Sequence, residues 1–84
     1  MKKYKVLVLD GHSPRLHEIA KVVAGGFDVN VLTAAHARAA LEMVHRDRPD
    51  VALVHQDHEW VEGKHISELV RAECATTTVL VMNE

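Results

Sequence analysis

The sequence predicts an α/β fold, a doubly wound parallel sheet with helices packed on both of its faces. Short apolar runs rich in valine and leucine alternate along the 84 residues with longer segments whose apolar residues recur at helical spacing. Little sequence is left over for linkers between these segments. Such alternation predicts right-handed strand-helix-strand units, and the functional edge of such a sheet lies at the carboxyl ends of its strands.

The first predicted unit is a buried strand followed by an amphipathic helix. The run from Tyr4 to Leu9 is apolar in the way expected of a central parallel strand that is covered on both faces. We expect Ser13 to cap the next helix, Pro14 to lie in its first turn, and the pair Gly25-Gly26 to end it. Its inner face is an apolar stripe formed by Leu16, Ile19, Ala20 and Val23.

Three further strands and two further helices follow in the same alternating order. Residues 28–32 predict a half-exposed edge strand, because Val29 and Val31 alternate with Asn30. The second helix should end before Pro49, since a residue that precedes proline is disfavoured in helical geometry. Residues 51–54 predict the third strand, a third helix is expected to begin near Gly63, and residues 79–82 predict the fourth strand. The stripes of the second and third helices are Ala37, Ala40, Leu41 and Val44, and Ile66, Leu69, Val70 and Cys74.

Composition excludes several classes of function. The formal net charge is -2 and the ten basic residues are scattered, so nothing in the chain is typical of a nucleic-acid-binding or lipid-binding surface. A hydrophobic fraction of 48% and the absence of a long apolar run predict an ordinary globular chain, with the cytoplasm as its default location. Cys74 is the only cysteine and cannot form an internal disulfide, so we expect it to be a small buried apolar residue.

The stretch 49–63, PDVALVHQDHEWVEG, carries the most specific motif of the chain. It resembles the phosphorylation motif of response-regulator receiver domains, in which Pro-Asp, four apolar residues and an aspartate are followed seven residues later by an acidic residue and glycine. Here Glu62-Gly63 matches the end of that motif, whereas His55 replaces the aspartate that accepts phosphate. The apolar strand that leads to Asp10, followed by His12, and Ala34 with the pair Ala40-Leu41, also match the receiver pattern, so the resemblance extends over essentially all 84 residues.

The resemblance implies a degenerate receiver, or pseudo-receiver, with the strand order 2-1-3-4. It implies one receiver-like domain over residues 1–84, either a short protein or the amino-terminal part of a longer one. The lysine-bearing fifth strand of receivers and the helices on either side of it have no counterpart here. We therefore expect the fourth strand to be an open edge, formed by Val79, Leu80, Val81 and Met82, that favours pairing with another chain.

The resemblance also implies that the phosphorylation chemistry is lost. Phosphoryl transfer in receivers needs Mg²⁺ held by oxygen ligands. Asp10 keeps the first acid of that pocket, but Gly11 stands where the second should be, and Asp57 would contribute only its backbone carbonyl. The hydroxyl expected after the fourth strand is replaced by Asn83. We therefore expect no aspartyl phosphorylation, no catalytic residue and no cofactor.

Two alternatives remain open for the former phosphorylation pocket. His12, His55 and His58, together with Asp10 or Asp57, form a set of nitrogen and oxygen ligands that suits zinc, nickel or copper better than magnesium. The same pocket would sense protons if a partly buried His55 titrated near neutrality beside Asp10. The first alternative makes this region a sensor of a metal or small ligand, and the second makes it a sensor of pH.

Trp60 follows the third strand and is either a lid over the core or an aromatic anchor for a partner. We see no constellation of residues that indicates an enzyme. The sequence favours a phosphorylation-independent receiver-like module for protein interaction or dimerisation, in bacterial signal transduction or transcription regulation. Its expected partner is a protein or a second copy of the chain that pairs with the edge at Val79 and Val81.

Overall fold

A four-stranded parallel sheet with helices on both faces forms the centre of the computed structural model, which describes residues 4–55, 60–61 and 64–82. The elements are β1 (Tyr4–Leu9), α1 (Ser13–Gly26), β2 (Val29–Ala34), α2 (Ala37–Asp47), β3 (Val51–His55), β4 (Trp60–Val61), β5 (Lys64–His65), α3 (Ile66–Glu73) and β6 (Thr78–Met82). The strand order is β2-β1-β3-β6, which confirms the predicted fold class and the order 2-1-3-4.

The core lies on both faces of β1, as its unbroken apolar sequence predicts. Leu7 and Leu9 pack on the face covered by α2 and α3, whereas Val6 and Val8 pack against α1. The second and third helices contribute the side chains of Ala37, Ala40, Val44, Ile66 and Val70 to the first of these clusters. All four residues of β1 in this core are less than a tenth exposed, so β1 is the strand that fixes the sheet.

The boundaries of α1 differ from those predicted. Its N-cap is His12, whose side chain accepts a hydrogen bond from the backbone N–H of Arg15, and Ser13 is the first helical residue. Gly25 and Gly26 are the last two helical residues, and the chain turns extended at Phe27. The predicted cap was therefore wrong by one position, whereas the predicted end of the helix at Gly25-Gly26 is confirmed.

The second helix ends as the sequence predicts, just before proline. Arg48 closes it in the left-handed region at φ 49°, and its backbone N–H donates to the carbonyl of Val44. Its guanidinium Nη1 donates to the carbonyl of Glu73 at 2.9 Å, which ties this strained position to the end of α3. Pro49 is buried at the start of the segment that leads into β3.

The region between β3 and α3 contains a small hairpin that the sequence did not predict. Strands β4 and β5 pair antiparallel, with Trp60 opposite His65, and are too short to show an alternating pattern. The third helix accordingly begins at Ile66 and not near Gly63, which lies outside the described residues. Strand β2 extends to Ala34, beyond the predicted end at residue 32, because its last residues pair with the end of β1.

Candidate functional site

Asp10 lies at the carboxyl edge of the sheet, where the central strand β1 ends. Its side chain is fully buried. Its backbone N–H donates to the carbonyl of Ala34 at 3.2 Å, which extends the contact between β1 and β2 by one residue. A buried carboxylate is strongly unfavourable unless it is paired with a cation and hydrogen-bonded.

The cation that pairs with Asp10 is Arg15, in the first turn of α1. Nε of Arg15 donates to one carboxylate oxygen of Asp10, and Nη2 donates to the other at 2.8 Å. The backbone N–H of His12 adds a third hydrogen bond, at 2.9 Å to Oδ1. This two-pronged arrangement is the strong, geometrically specific form of an arginine-carboxylate pair. The acid that the receiver pattern would give to a metal is thus already bound by a positive charge of the chain itself.

The local sequence explains why Arg15 reaches Asp10. Only four residues separate them, and within these the chain leaves β1 and begins α1. The His12 cap and Pro14 at the start of α1 fix the direction of the first turn. The Arg15 side chain is 25% exposed, so its guanidinium lies between the buried acid and solvent.

The remaining predicted pocket residues are only partly described. Gly11 is exposed directly after Asp10, and the backbone of His55 ends β3. Because Leu9 pairs with Val54, Asp10 and His55 follow at the same level of two adjacent strands. The side chain of His55 lies outside the described part of the structure, as do Asp57, His58 and Asn83. The predicted roles of these four residues stay predictions.

The structure does not test the predicted metal site, because two of its three histidine side chains lie outside the described residues. Among the side chains that the structure describes, no three histidine, cysteine, aspartate or glutamate residues lie close enough together to hold a metal ion. His12, one of the proposed ligands, caps α1 with its Nδ1 and is exposed. The other two proposed ligand side chains, those of His55 and His58, lie outside the described residues.

Trp60 and β6 are the two predicted interaction features. The backbone of Trp60 lies in the β4–β5 hairpin opposite His65, and its side chain is outside the described residues. Within the described part of the chain, β6 has one neighbour, β3, and so forms one edge of the sheet. Val79 packs partly against the core, whereas Leu80 is 51% exposed and Val81 is 40% exposed. Leu80 and Val81 are therefore exposed apolar side chains on the two opposite faces of the sheet at this edge.

Cys74 directly follows α3, at the carboxyl end of that helix, and its side chain belongs to the core, as the sequence predicts. Its Sγ lies 3.3 Å from Oγ1 of Thr76. Hydrogen bonds from Thr76, Thr77 and Arg48 favour the thiolate, outweigh the effect of burial, and lower the pKa of the Cys74 thiol to about 6. Because Cys74 is only 4% exposed, reagents in solution have little access to its thiol. The lowered pKa therefore affects the stability of the fold more than the reactivity of the thiol.

Comparison with solved structures finds a receiver domain as a structural neighbour. The chain resembles the response regulator domain of Thermotoga maritima CheB with a TM-score of 0.79 and 21% sequence identity, and the match covers 95% of this chain. The same match spans 60% of the CheB chain. No protein-family model matches the sequence, and no curated protein matches it either. The likeness shows a receiver-like fold. None of the helices in the described residues is long and apolar enough to cross a membrane.

Proposed function

We propose that this chain is a phosphorylation-independent, receiver-like module that acts by protein interaction in bacterial signal transduction or transcription regulation. The module is not an enzyme, and its partner is a second copy of the chain. The pairing of Asp10 with Arg15 is the observation that carries the first half of this proposal. The exposed apolar residues of β6 support the second half.

The Arg15 guanidinium accounts for the loss of phosphorylation in physical terms. Mg²⁺ would have to displace a bidentate guanidinium from a buried carboxylate before it could bind Asp10. The guanidinium neutralises the acid but offers no coordination position that a phosphoryl oxygen could share with the acid, as a metal ion does. Gly11 stands in the second acidic position, so that position offers no second carboxylate ligand for a metal ion. His55 stands in the position of the phosphate-accepting aspartate, so that position offers no carboxylate nucleophile.

The edge at β6 offers both kinds of interaction that a strand interface needs. A strand with a neighbour on one side presents backbone donors and acceptors on the other, and the sequence of β6, TVLVM, contains no charged residue or proline to discourage pairing. A two-fold axis that pairs β6 with its own copy makes the two strands antiparallel, with Leu80 near the axis. Leu80 would then face its counterpart, and Val81 would pack near Val79 of the partner.

Incubation with acetyl phosphate and Mg²⁺, followed by intact-mass spectrometry, tests the first half of the proposal. We expect the unmodified mass only. A matched pair of variants isolates the role of Arg15: Gly11→Asp/His55→Asp restores the acids of the receiver pattern, and the same variant with Arg15→Ala also removes the guanidinium. We expect binding of Mn²⁺, measured by paramagnetic line broadening, only when Arg15 is removed. A phosphorylated wild-type chain, or equal binding of Mn²⁺ by both variants, would contradict the proposal.

A further inference from the structure

Histidine side chains cap the amino-terminal ends of both helices on one face of the sheet. Nδ1 of His36 accepts a hydrogen bond from the backbone N–H of Ala39 at 3.3 Å, and α2 begins directly after it. Nδ1 of His65 accepts from the backbone N–H of Ser67 at 3.2 Å and also lies 2.9 Å from Oγ of Ser67, and α3 begins directly after it. Serine, threonine, aspartate and asparagine are the usual capping residues, and their acceptor oxygens persist at neutral and mildly acidic pH.

The two caps lie at the same edge of the sheet. The helices α2 and α3 contact each other and pack on the same core cluster, through Ala40 and Val44 on one side and Ile66 and Val70 on the other. The helix α2 leads into the amino end of β3, and α3 leads into the amino end of β6, so both helices end at the amino edge of the parallel sheet and begin at its carboxyl edge, where Asp10 also lies. A change in the two caps therefore acts on the edge of the sheet that carries the candidate site.

Protonation removes the acceptor for the backbone amide at both caps, and at His65 the protonated Nδ1 can then donate to Oγ of Ser67 instead. An imidazolium carries hydrogen on both ring nitrogens, so Nδ1 can no longer accept a hydrogen bond from the backbone. The new positive charge also lies beside the positive end of the helix dipole, which is unfavourable. Histidine is the side chain that ordinarily changes its charge between about pH 5 and about pH 8.

Other charged groups surround the two caps. Strands β2 and β6 contain no charged residue, and the β1 strand ends in Asp10, which is paired with Arg15. The helices carry Arg38 after the first cap, Glu68 in the first turn of α3, and Glu42 and Glu73 along the groove between the helices. Lys64 directly precedes His65 in the sequence, and the last turns of the helices add Arg46, Asp47 and Arg71. The glutamates reduce the unfavourable charge of an imidazolium but do not restore the lost acceptor.

The far ends of the same helices carry a contact on which a proton would have the opposite effect. Nδ1 of His45, in the last turn of α2, lies 2.5 Å from Oε1 of Glu73 in the last turn of α3. A proton on His45 strengthens this contact and complements the negative end of the helix dipole. Acid thus weakens the two helices at the carboxyl edge of the sheet and joins them more firmly at the other end.

We propose that the amino-terminal turns of α2 and α3 form a proton-responsive rim, in which protonation of His36 and His65 releases both caps and loosens the carboxyl edge of the sheet. His12 caps α1 with the same type of bond, but it lies beside the Asp10 carboxylate, and the proposal does not depend on it. The rim is separate from the β6 edge, so it holds whether or not the chain dimerises there.

An NMR titration of the 84-residue protein from about pH 8 to about pH 5 tests the proposal. We expect the amide resonances of Ala39 and Ser67 to shift with the titration of their own capping histidines. Hydrogen exchange at the two amides, corrected for the intrinsic effect of pH, should become faster over the same range. Amides at the carboxyl ends of α2 and α3 should keep their protection, because the contact between His45 and Glu73 strengthens there.

Cap-conserving variants separate this effect from general acid sensitivity. Asparagine caps helices well and does not titrate, so His36→Asn should abolish the response of Ala39 alone, and His65→Asn that of Ser67 alone. His17→Asn is the matched control, because His17 is exposed within α1 and does not cap a helix. The proposal is overturned if the two amides do not respond in the wild-type protein, or if they respond equally in the capping variants.

Discussion

The two edge strands of the sheet, β2 and β6, differ in what they expose to solvent. In β2 the exposed side chains are polar, Asn30 and Thr33, and its apolar residues are at least half-buried against the helices. In β6 the exposed side chains include Leu80 and Val81. Both strands have one neighbour within the described residues, so the difference lies in the side chains and not in the backbone.

This difference identifies which edge is suited to a partner. Polar side chains on an edge strand make its pairing with another chain less favourable, whereas uncharged apolar residues favour it. Three other apolar residues are exposed, but none of them lies on an open strand edge. Tyr4 is the first residue of the central strand β1, Val22 lies in α1, and Phe27 directly follows α1. Only β6 combines exposed apolar side chains with an open backbone edge among the described residues.

The largest effect on stability is expected at the end of β1, a strand that lies inside the sheet between its two edge strands. Arg15→Ala leaves the buried carboxylate of Asp10 without its cation, and the loss of one partner of a buried ion pair typically costs about 3 kcal/mol. Urea denaturation at neutral pH measures this change in the free energy of unfolding. Asp10→Asn/Arg15→Met, which removes both charges, should cost clearly less. Equal losses in the two variants would show that the pair is not the source of the effect.

The comparison of the edges predicts a strong effect on association and a weak effect on stability. Val81→Lys places a charge on the open edge of β6 and should abolish dimerisation, while the free energy of unfolding of the monomer changes by less than about 1 kcal/mol. Thr33→Lys on β2 is the matched control and should leave dimerisation intact. Sedimentation equilibrium of the two variants side by side gives the answer, and a dimer that survives Val81→Lys would point to another surface.

A smaller, pH-dependent effect is expected in the turn that leads into β6. The thiol of Cys74 has a pKa of about 6 in the folded protein, lowered from an ordinary value of 9.0. Its contribution to stability is therefore complete above pH 9.0 and is lost as the pH falls through about 6. The free energy of unfolding of the wild-type protein, minus that of Cys74→Ala, should rise over this interval. A difference that is constant with pH would show that the thiolate is not favoured.

The smallest effect is expected at the exposed pair that joins α2 to α3. Glu73→Gln removes the charge partner of His45, whose side chain is 73% exposed, and exposed pairs contribute about 0.5 kcal/mol or less. Thermal unfolding of the variant beside the wild-type protein measures this loss, and a loss well above that size would indicate a role beyond the ion pair.

Much of the fold can be predicted from the sequence, because short apolar runs, typical of strands, alternate with segments whose apolar residues recur at helical spacing. The strand order came from the receiver motif around His55, and the structure confirms it. The β4–β5 hairpin was missed, since two strands of two residues leave no periodic pattern.

The candidate site was predicted only in part. Asp10 was placed correctly at the carboxyl edge, but its partner Arg15 was missed, although a lone buried acid followed by Gly11 requires a cation and Arg15 is the first one after it. The histidine caps were missed as well, because histidine is not among the residues that ordinarily mark the start of a helix.

The mass of the wild-type protein in solution, measured by light scattering with and without acetyl phosphate and Mg²⁺, decides whether the chain is a phosphorylation-independent dimer. We expect a concentration-dependent dimer, with twice the 9.4 kDa mass of the chain, that is unaffected by the phosphoryl donor. A monomer at all concentrations, or a dimer that forms only when the phosphoryl donor is present, would contradict it.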